Sequence, residues 1–301
     1  MLKQAENTVR IEGLLSEIDL RYGSFMKNGE PMNSIGGTIK VHVNQEINGT
    51  PTNLEVPVHM FASEYTNAGA KNPAYQNIER VMKEFTSIAA AGGEAGADAV
   101  RITNGRITMN EYYGRDGRFI SFPRITASFV NKIRADEMKP CATFSAAFVV
   151  ANKVNETSYD GVETGRLKVT GVLPQFGGKV DLVDFIVANP TAINAINQYW
   201  NDNETVIANG RLNFSSKTET VRKEVDFGEA QETTRTISVS ELLITGGSQS
   251  ALEDGAAYNI EDIQAALVER KARLEALKEN AEKGKTRTAP TEQKGKLDLG
   301  F

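Results

Sequence analysis

The sequence predicts a mainly β protein of two five-stranded Greek-key barrels in tandem, followed by a C-terminal helix and a disordered tail. Three observations carry that prediction. Between Val9 and Ile133 the pattern gives three strands, one helix and two strands, the element order of the OB-fold barrel. Residues 136–250 repeat the scheme less cleanly, and Asn104-Gly105-Arg106-Ile107 has an echo in Asn209-Gly210-Arg211-Leu212, each inside the strand that follows a helix. A parallel α/β fold would need a helix between most strands, and none is there.

In order, VRIEGLL is a strand and RYGSFMKNGEPMNSIGG reads as a long Gly/Asn/Pro loop. TIKVHVNQ and LEVPVHMF flank a turn containing Asn48-Gly49, a strong hairpin signal because both residues tolerate positive φ. In NPAYQNIERVMKEFTSIAAA, Ile78, Val81, Met82, Phe85 and Ile88 recur near helical spacing between Pro73 and Gly92-Gly93, predicting one helix of about four turns. AVRITNGRITMNEYY and RFISFPRITASFVNKI close the first set around GRDG, with long connections expected after the first and fourth strands. In both copies Asn-Gly interrupts the apolar alternation, as a β-bulge bending the fourth strand would.

The second set comprises FSAAFVVANKV, RLKVTGVLP, KVDLVDFIVA, a short helix opened by Asn189-Pro190, ETVIANGRLNFSS and TISVSELLITG. After Gly246-Gly247, the residues Ile260, Ile263, Leu267, Leu274 and Leu277 follow a heptad-like spacing broken by Arg270. That stripe suits packing on a barrel or self-association into a homo-oligomer equally. The expected units are an OB-fold domain at 1–135, a divergent OB-fold domain at 136–250, a helix at 251–280 and a disordered, polar tail at 281–301 with an apolar tip.

Composition excludes several chemistries. Cys141 is the only cysteine and His42 and His59 the only histidines, so one chain can build no disulfide, no Cys-x-x-Cys zinc site and no His-Glu-x-x-His site. Both histidines sit in strand-like alternation, and with no third ligand near the pair no metal is expected. Gly284-Lys285-Thr286 lacks the first glycine of a phosphate loop, because Glu279 stands there. The reading is therefore non-enzymatic, with no cofactor. No apolar run approaches the roughly 20 residues that span a bilayer, and the N-terminus lacks a signal-peptide core, so a cytoplasmic protein without a membrane partner is expected. Net charge is -5, distributed as +1 over residues 1–135, -5 over 136–250 and -1 over 251–301, so a nucleic-acid face belongs on the first segment.

Strand alternation selects the residues of that face. Ile39, Val41 and Val43 face inward, placing Lys40 and His42 outward; Val56, Val58 and Met60 place His59 and Phe61 outward. A hairpin centred on Thr50-Pro51 would set His42 opposite His59 and Lys40 opposite Phe61. Ile125, Ala127 and Phe129 take the inward side of the last strand, leaving Arg118, Phe122 and Arg124 outward, and past the bulge Arg106 and Tyr112 face out. The long loops add Tyr22, Phe25 and Lys27 on one side and Tyr113 and Arg115 on the other. Rings stack on bases of any identity while cations neutralise phosphates, which is what sequence-tolerant single-strand binding requires. The alternative is an OB-fold structural or adaptor protein whose exposed rings bind another protein in a phage particle or replisome.

VRIEGLLSEIDL, EVPVHMFAS, KNPAYQNI and DAVRITNGRITMNEYYGRDGRFISFPRITASFV resemble the OB-fold single-stranded DNA-binding proteins of bacteriophages and mobile elements of Gram-positive bacteria. The likeness runs from Val9 to Ile133, and the second segment resembles a divergent barrel of the same kind. The resemblance implies a protein that coats single-stranded DNA in phage replication or recombination through the outward barrel face and the loops after strands 1 and 4. Bacterial single-strand binders also end in a flexible tail whose last aromatic docks replication and repair partners. Leu297, Asp298, Leu299 and Phe301 match such a docking tip, but the acidic run before it is missing, with Lys294 and Lys296 in its place.

Overall fold

Asn28 and Gly29, with φ of 53° and 86°, turn the chain back on itself in a two-residue hairpin joining β1 (Asn7–Lys27) to β2 (Glu30–Ile47). Positive φ at both central residues matches the right-handed twist of the flanking strands. The segment expected as a loop after the first strand is thus a ladder of paired backbone, in which Tyr22 opposes Ile35 and Phe25 opposes Met32. The computed structural model describes residues 2–47, 50–114, 116–158, 161–223, 231–253 and 255–287.

β2 pairs with β3 (Thr50–Ser63), with Ile47 opposite Thr50, so the hairpin closes across residues 48 and 49, which lie outside the described residues. This corrects the expected register. His42 opposes Glu55, Lys40 opposes Pro57, Thr38 opposes His59 and Gly36 opposes Phe61. The pairing of Ile47 with Thr50 sets the centre of the hairpin, and Thr50-Pro51 belongs to the strand beyond it.

The helical segment is two pieces. Asn72 accepts from the Ala74 N–H at 3.0 Å and Pro73 begins α1 (Pro73–Glu84), which buries Ile78 and Val81; Phe85 is already extended, and α2 (Ile88–Ala91) restarts from the Ser87 cap. β4 (Ala99–Tyr113) and β5 (Phe119–Thr126) form another hairpin, so the connection expected to be long after the fourth strand is a tight turn. β3 pairs in parallel with β5, and β4 returns to β1, closing the five-stranded OB barrel around Val9, Ile11, Ile39, Val41, Val58, Ile102, Ile107 and Ile125, all fully buried. Phe129, expected inside, is 44% exposed: β5 ends at Thr126, alternation stops with it, and Val130 is buried instead, before β6 (Asn131–Ile133).

The second half repeats this topology with β7 (Cys141–Thr157), β8 (Glu163–Pro174), β9 (Val180–Val187), α3 (Pro190–Tyr199), β10 (Thr205–Lys223) and β11 (Gln231–Gly247). β9 pairs in parallel with β11, and β10 returns to β7. Phe148 stacks on Phe185 at 4.6 Å, with Trp200 edge-on at 6.0 Å and its Nε1–H donating to the Ser248 carbonyl at 2.9 Å. The two Asn-Gly pairs behave differently. In β4 the register against β1 slips between Ile102 and Gly105, the expected bulge. At Asn209-Gly210, β10 stays in register with β7 and slips only against β11, which carries the extra residue, Thr245.

β1 also pairs with β7, Asn7 opposite Ala146 through Glu12 opposite Cys141, which joins both barrels in one eleven-stranded sheet. Where β4 runs on beyond β1, side chains continue the ladder. The buried Asn7 amide donates to the Ile107 carbonyl (2.7 Å) and accepts from its N–H (2.9 Å), Gln175 donates to the same carbonyl (3.0 Å), and the Asp181 carboxylate accepts from the Met109 N–H (3.2 Å). α4 (Ile260–Arg287) lies across this junction and runs past 280, the expected end of the helix. Ile263 and Ala266 are buried, and Arg270, read as a break in the stripe, lies within it and pairs with the nearly buried Glu111, to which Arg273 adds a contact at 3.5 Å. An ion pair thus occupies the position where an apolar residue was expected. Among the described residues no helix is long and apolar enough to cross a membrane.

Candidate nucleic-acid interface

The outward residues of β3, β5 and β4 form one surface because the parallel β3–β5 pairing sets His59 beside Thr126, which in turn opposes Arg106 on β4. On one side of this row Arg124 opposes Thr108 and, beyond them, Phe122 opposes Asn110 next to Tyr112; on the other side, two residues along β3 from His59, lies Phe61. Phe61 is 57% exposed, Tyr112 43% and Phe122 40%. Phe61 meets Phe25 of the β1–β2 arm at 6.1 Å, and Phe122 meets Tyr112 edge-to-face at 6.5 Å, so two aromatic pairs bracket a basic centre.

Gly36, directly across from Phe61, keeps that ring uncovered. A Cβ there would lie 2.8 Å from the Met60 carbonyl oxygen and 3.1 Å from the Phe61 ring. Reading the strands by apolar alternation misses Gly36; the Gly36-Gly37 pair inside a strand is the signal, since such a gap marks a close backbone approach or an open ring face.

The charges at the centre differ from those around it. Most cations of the first barrel are matched: Lys40 to Glu17 at 2.5 Å, Arg21 to Asp19 at 2.8 Å, Lys132 to Asp98 at 2.6 Å, and Arg101 to Glu12 at 3.0 Å. Arg106 and Arg124 have no carboxylate within ion-pair distance among the described residues, and Arg106 Nη1 and Arg124 Nε are buried donors without a protein acceptor. Burial pulls the Arg124 guanidinium below its ordinary range, partly offset by Asp181. Burial, with the Arg124 charge second, holds the His59 imidazole below the usual histidine value, leaving a neutral ring at neutral pH. Unmatched, partly desolvated guanidinium donors next to exposed rings suit an anionic, planar ligand.

The structure brings together Phe25, His59, Phe61, Arg106, Tyr112, Phe122 and Arg124. It places the other candidates elsewhere. Tyr22 is turned to α1, donating to Glu79 at 2.7 Å with Lys83 over its ring, and Lys27 donates to Asn67 at 2.7 Å. Lys40 and His42 share the outward side of β2 but occupy its acidic end: His42 Nδ1 lies 2.6 Å from Glu55 and Nε2 3.8 Å from Glu94. The two histidines therefore do not form a pair. Tyr113 packs on Phe119 at 5.3 Å, Arg118 pairs with Asp116 at the exposed turn, and Arg115, Leu297, Asp298, Leu299 and Phe301 lie outside the described residues.

The second barrel presents a different surface. Arg166 is held between Glu156 and Glu241, at 2.5 and 2.8 Å, and Lys168 lies 3.7 Å from Asp184. Hydrogen bonds donated to Glu156 and then to Glu241 hold the Arg166 guanidinium above its ordinary range despite burial. Cations already neutralised in this way have little left to offer a phosphate.

A family model described as YorF matches residues 5–280. No curated protein matches the chain. Among solved structures, the wild-type single-stranded DNA binding protein from Thermus aquaticus is similar over 84% of this chain and 97% of its own, with 9% identity and a TM-score of 0.49. A deletion mutant of the same Thermus aquaticus protein, which also carries an arginine-to-alanine substitution, is similar over 83% and 97%, with 12% identity and a TM-score of 0.45.

Proposed function

The chain belongs to the YorF family, and from the face of its first barrel we propose that it binds single-stranded DNA without strong sequence preference, doing no chemistry. In this reading it coats strands exposed in phage replication or recombination in the host cytoplasm, with residues 1–135 as the binding domain and 136–250 as a divergent second barrel. One observation carries the reading: two arginines without carboxylate partners among the described residues, Arg106 and Arg124, stand between exposed aromatic pairs on one barrel face. Stacking on any base contributes roughly 1 to 3 kcal/mol, and the cations add an affinity that falls with salt. Titration of labelled oligonucleotide at several salt concentrations tests it. Tight, salt-sensitive binding to single strands and much weaker binding to duplex are expected; equal binding to both, or none at low salt, would overturn the proposal.

Leu297 to Phe301 are proposed as a docking peptide for replication or recombination proteins, because an apolar tip after a charged spacer is of little use to a core. Deleting these residues should leave oligonucleotide affinity unchanged and reduce co-purification of a phage-encoded partner. A tail deletion that alters oligonucleotide affinity severalfold would remove the docking role.

A further inference from the structure

The turn between β8 and β9 carries the most exposed aromatic among the described residues, Phe176, at 81%. The turn is rigidly built: the Gln175 N–H donates to the Lys179 carbonyl at 2.7 Å, and Gly177 and Gly178 take φ of 76° and 77°. It is also anchored to the first barrel. Gln175, the residue before Phe176, donates its side-chain amide to the Ile107 carbonyl, and Asp181 accepts from the Met109 N–H. Ile107 lies between Arg106 and Thr108, whose side chains alternate onto the outward face. The turn that carries the ring is thus tied to the strand that carries Arg106 while belonging to the other barrel.

A Cβ at Gly177 or Gly178 would meet nothing within 4 Å, and with the ring itself 81% exposed the turn presents an open surface to a flat ligand. Lys179 in the same turn is exposed and makes no ion pair among the described residues. We propose that Phe176 is a base-stacking residue and Lys179 a phosphate contact for a single strand that continues past Arg106, carrying the binding track onto the second barrel by its β8–β9 turn. This rests on the single-strand reading above. It explains how a second barrel whose Arg166 and Lys168 are neutralised can still contribute to binding: through one anchored turn.

The test is fluorescence anisotropy of the full chain with oligothymidylates of about 8 and about 30 nucleotides, since one OB barrel covers roughly 4 to 16. Phe176→Ala should bind the short strand like wild type and the long one about tenfold more weakly, and Phe176→Trp should restore the long-strand affinity. Lys179→Ala should reduce the slope of log affinity against log salt by about 0.7 on the long strand. Wild-type affinity of Phe176→Ala at both lengths, while Phe61→Ala loses affinity, overturns the assignment of Phe176 and leaves the first-barrel site standing. A wild-type protein that binds neither strand overturns the single-strand reading, and this inference with it.

Discussion

Phe61→Ala combined with Phe122→Ala is expected to weaken oligonucleotide binding by on the order of thirtyfold or more, with the salt slope unchanged. The two rings lie on either side of Arg124, each 40% or more exposed, and each stacked base contributes roughly 1 to 3 kcal/mol. Arg106→Gln with Arg124→Gln should show the complementary signature, a salt slope reduced by about 1.4, because each single-strand phosphate contact contributes about 0.7. Both pairs are half-buried or exposed, so urea unfolding should place the variants near wild type in stability. If the aromatic variant changes the slope and the arginine variant does not, the division of labour on this face is wrong.

Glu12 should dominate stability. Its side chain is fully buried where β1, β4 and β7 meet, and it accepts from Arg10, from Arg101 at 3.0 and 3.3 Å, and from the Lys139 N–H at 3.1 Å in the segment that joins the barrels. Burial alone would raise its carboxyl, but the hydrogen bonds from Arg10, Lys139 and Arg101 together hold it below the ordinary carboxylate range. Glu12→Ala leaves those donors with no acceptor and should cost about 3 to 5 kcal/mol. Because the folded-state value is depressed, the carboxylate stabilises the fold above its unfolded value and loses that contribution as pH falls through the folded one. The stability gap between wild type and Glu12→Gln, measured in urea, should therefore be wide at neutral pH and narrow on acidification. A gap that stays constant across that range would show that the charge of Glu12 is not what stabilises the junction.

Strand faces were legible because Val, Ile and Leu alternate: Val41, Val43, Val56 and Val58 are all fully buried. Pairing was less so, since alternation is preserved when a register slides by two residues, and His42 keeps its outward face whether it opposes His59 or Glu55. The Asn28-Gly29 hairpin was hidden by neighbours with loop composition, Gly23, Pro31, Asn33 and Gly36-Gly37, although the dipeptide itself carries the turn. That Phe61, Arg124 and Arg106 share one face depends on the parallel β3–β5 pairing, a contact between distant segments that no local pattern encodes. Arg270 looked like a defect in an apolar stripe because its partner, Glu111, is 159 residues away.

The placement of β1 has a consequence in time. It leaves the ribosome before all its partners, and between Asn7 and Gly13 those partners are β4, from Ala99, and β7, from Cys141. At about 5 to 20 residues per second, β7 emerges on the order of ten seconds after β1. Val9 and Ile11 have no native neighbour until β4 emerges and one open side until β7 does, so co-translational folding of this chain can complete its first barrel early but can seal the seam between the barrels only after β7 has emerged.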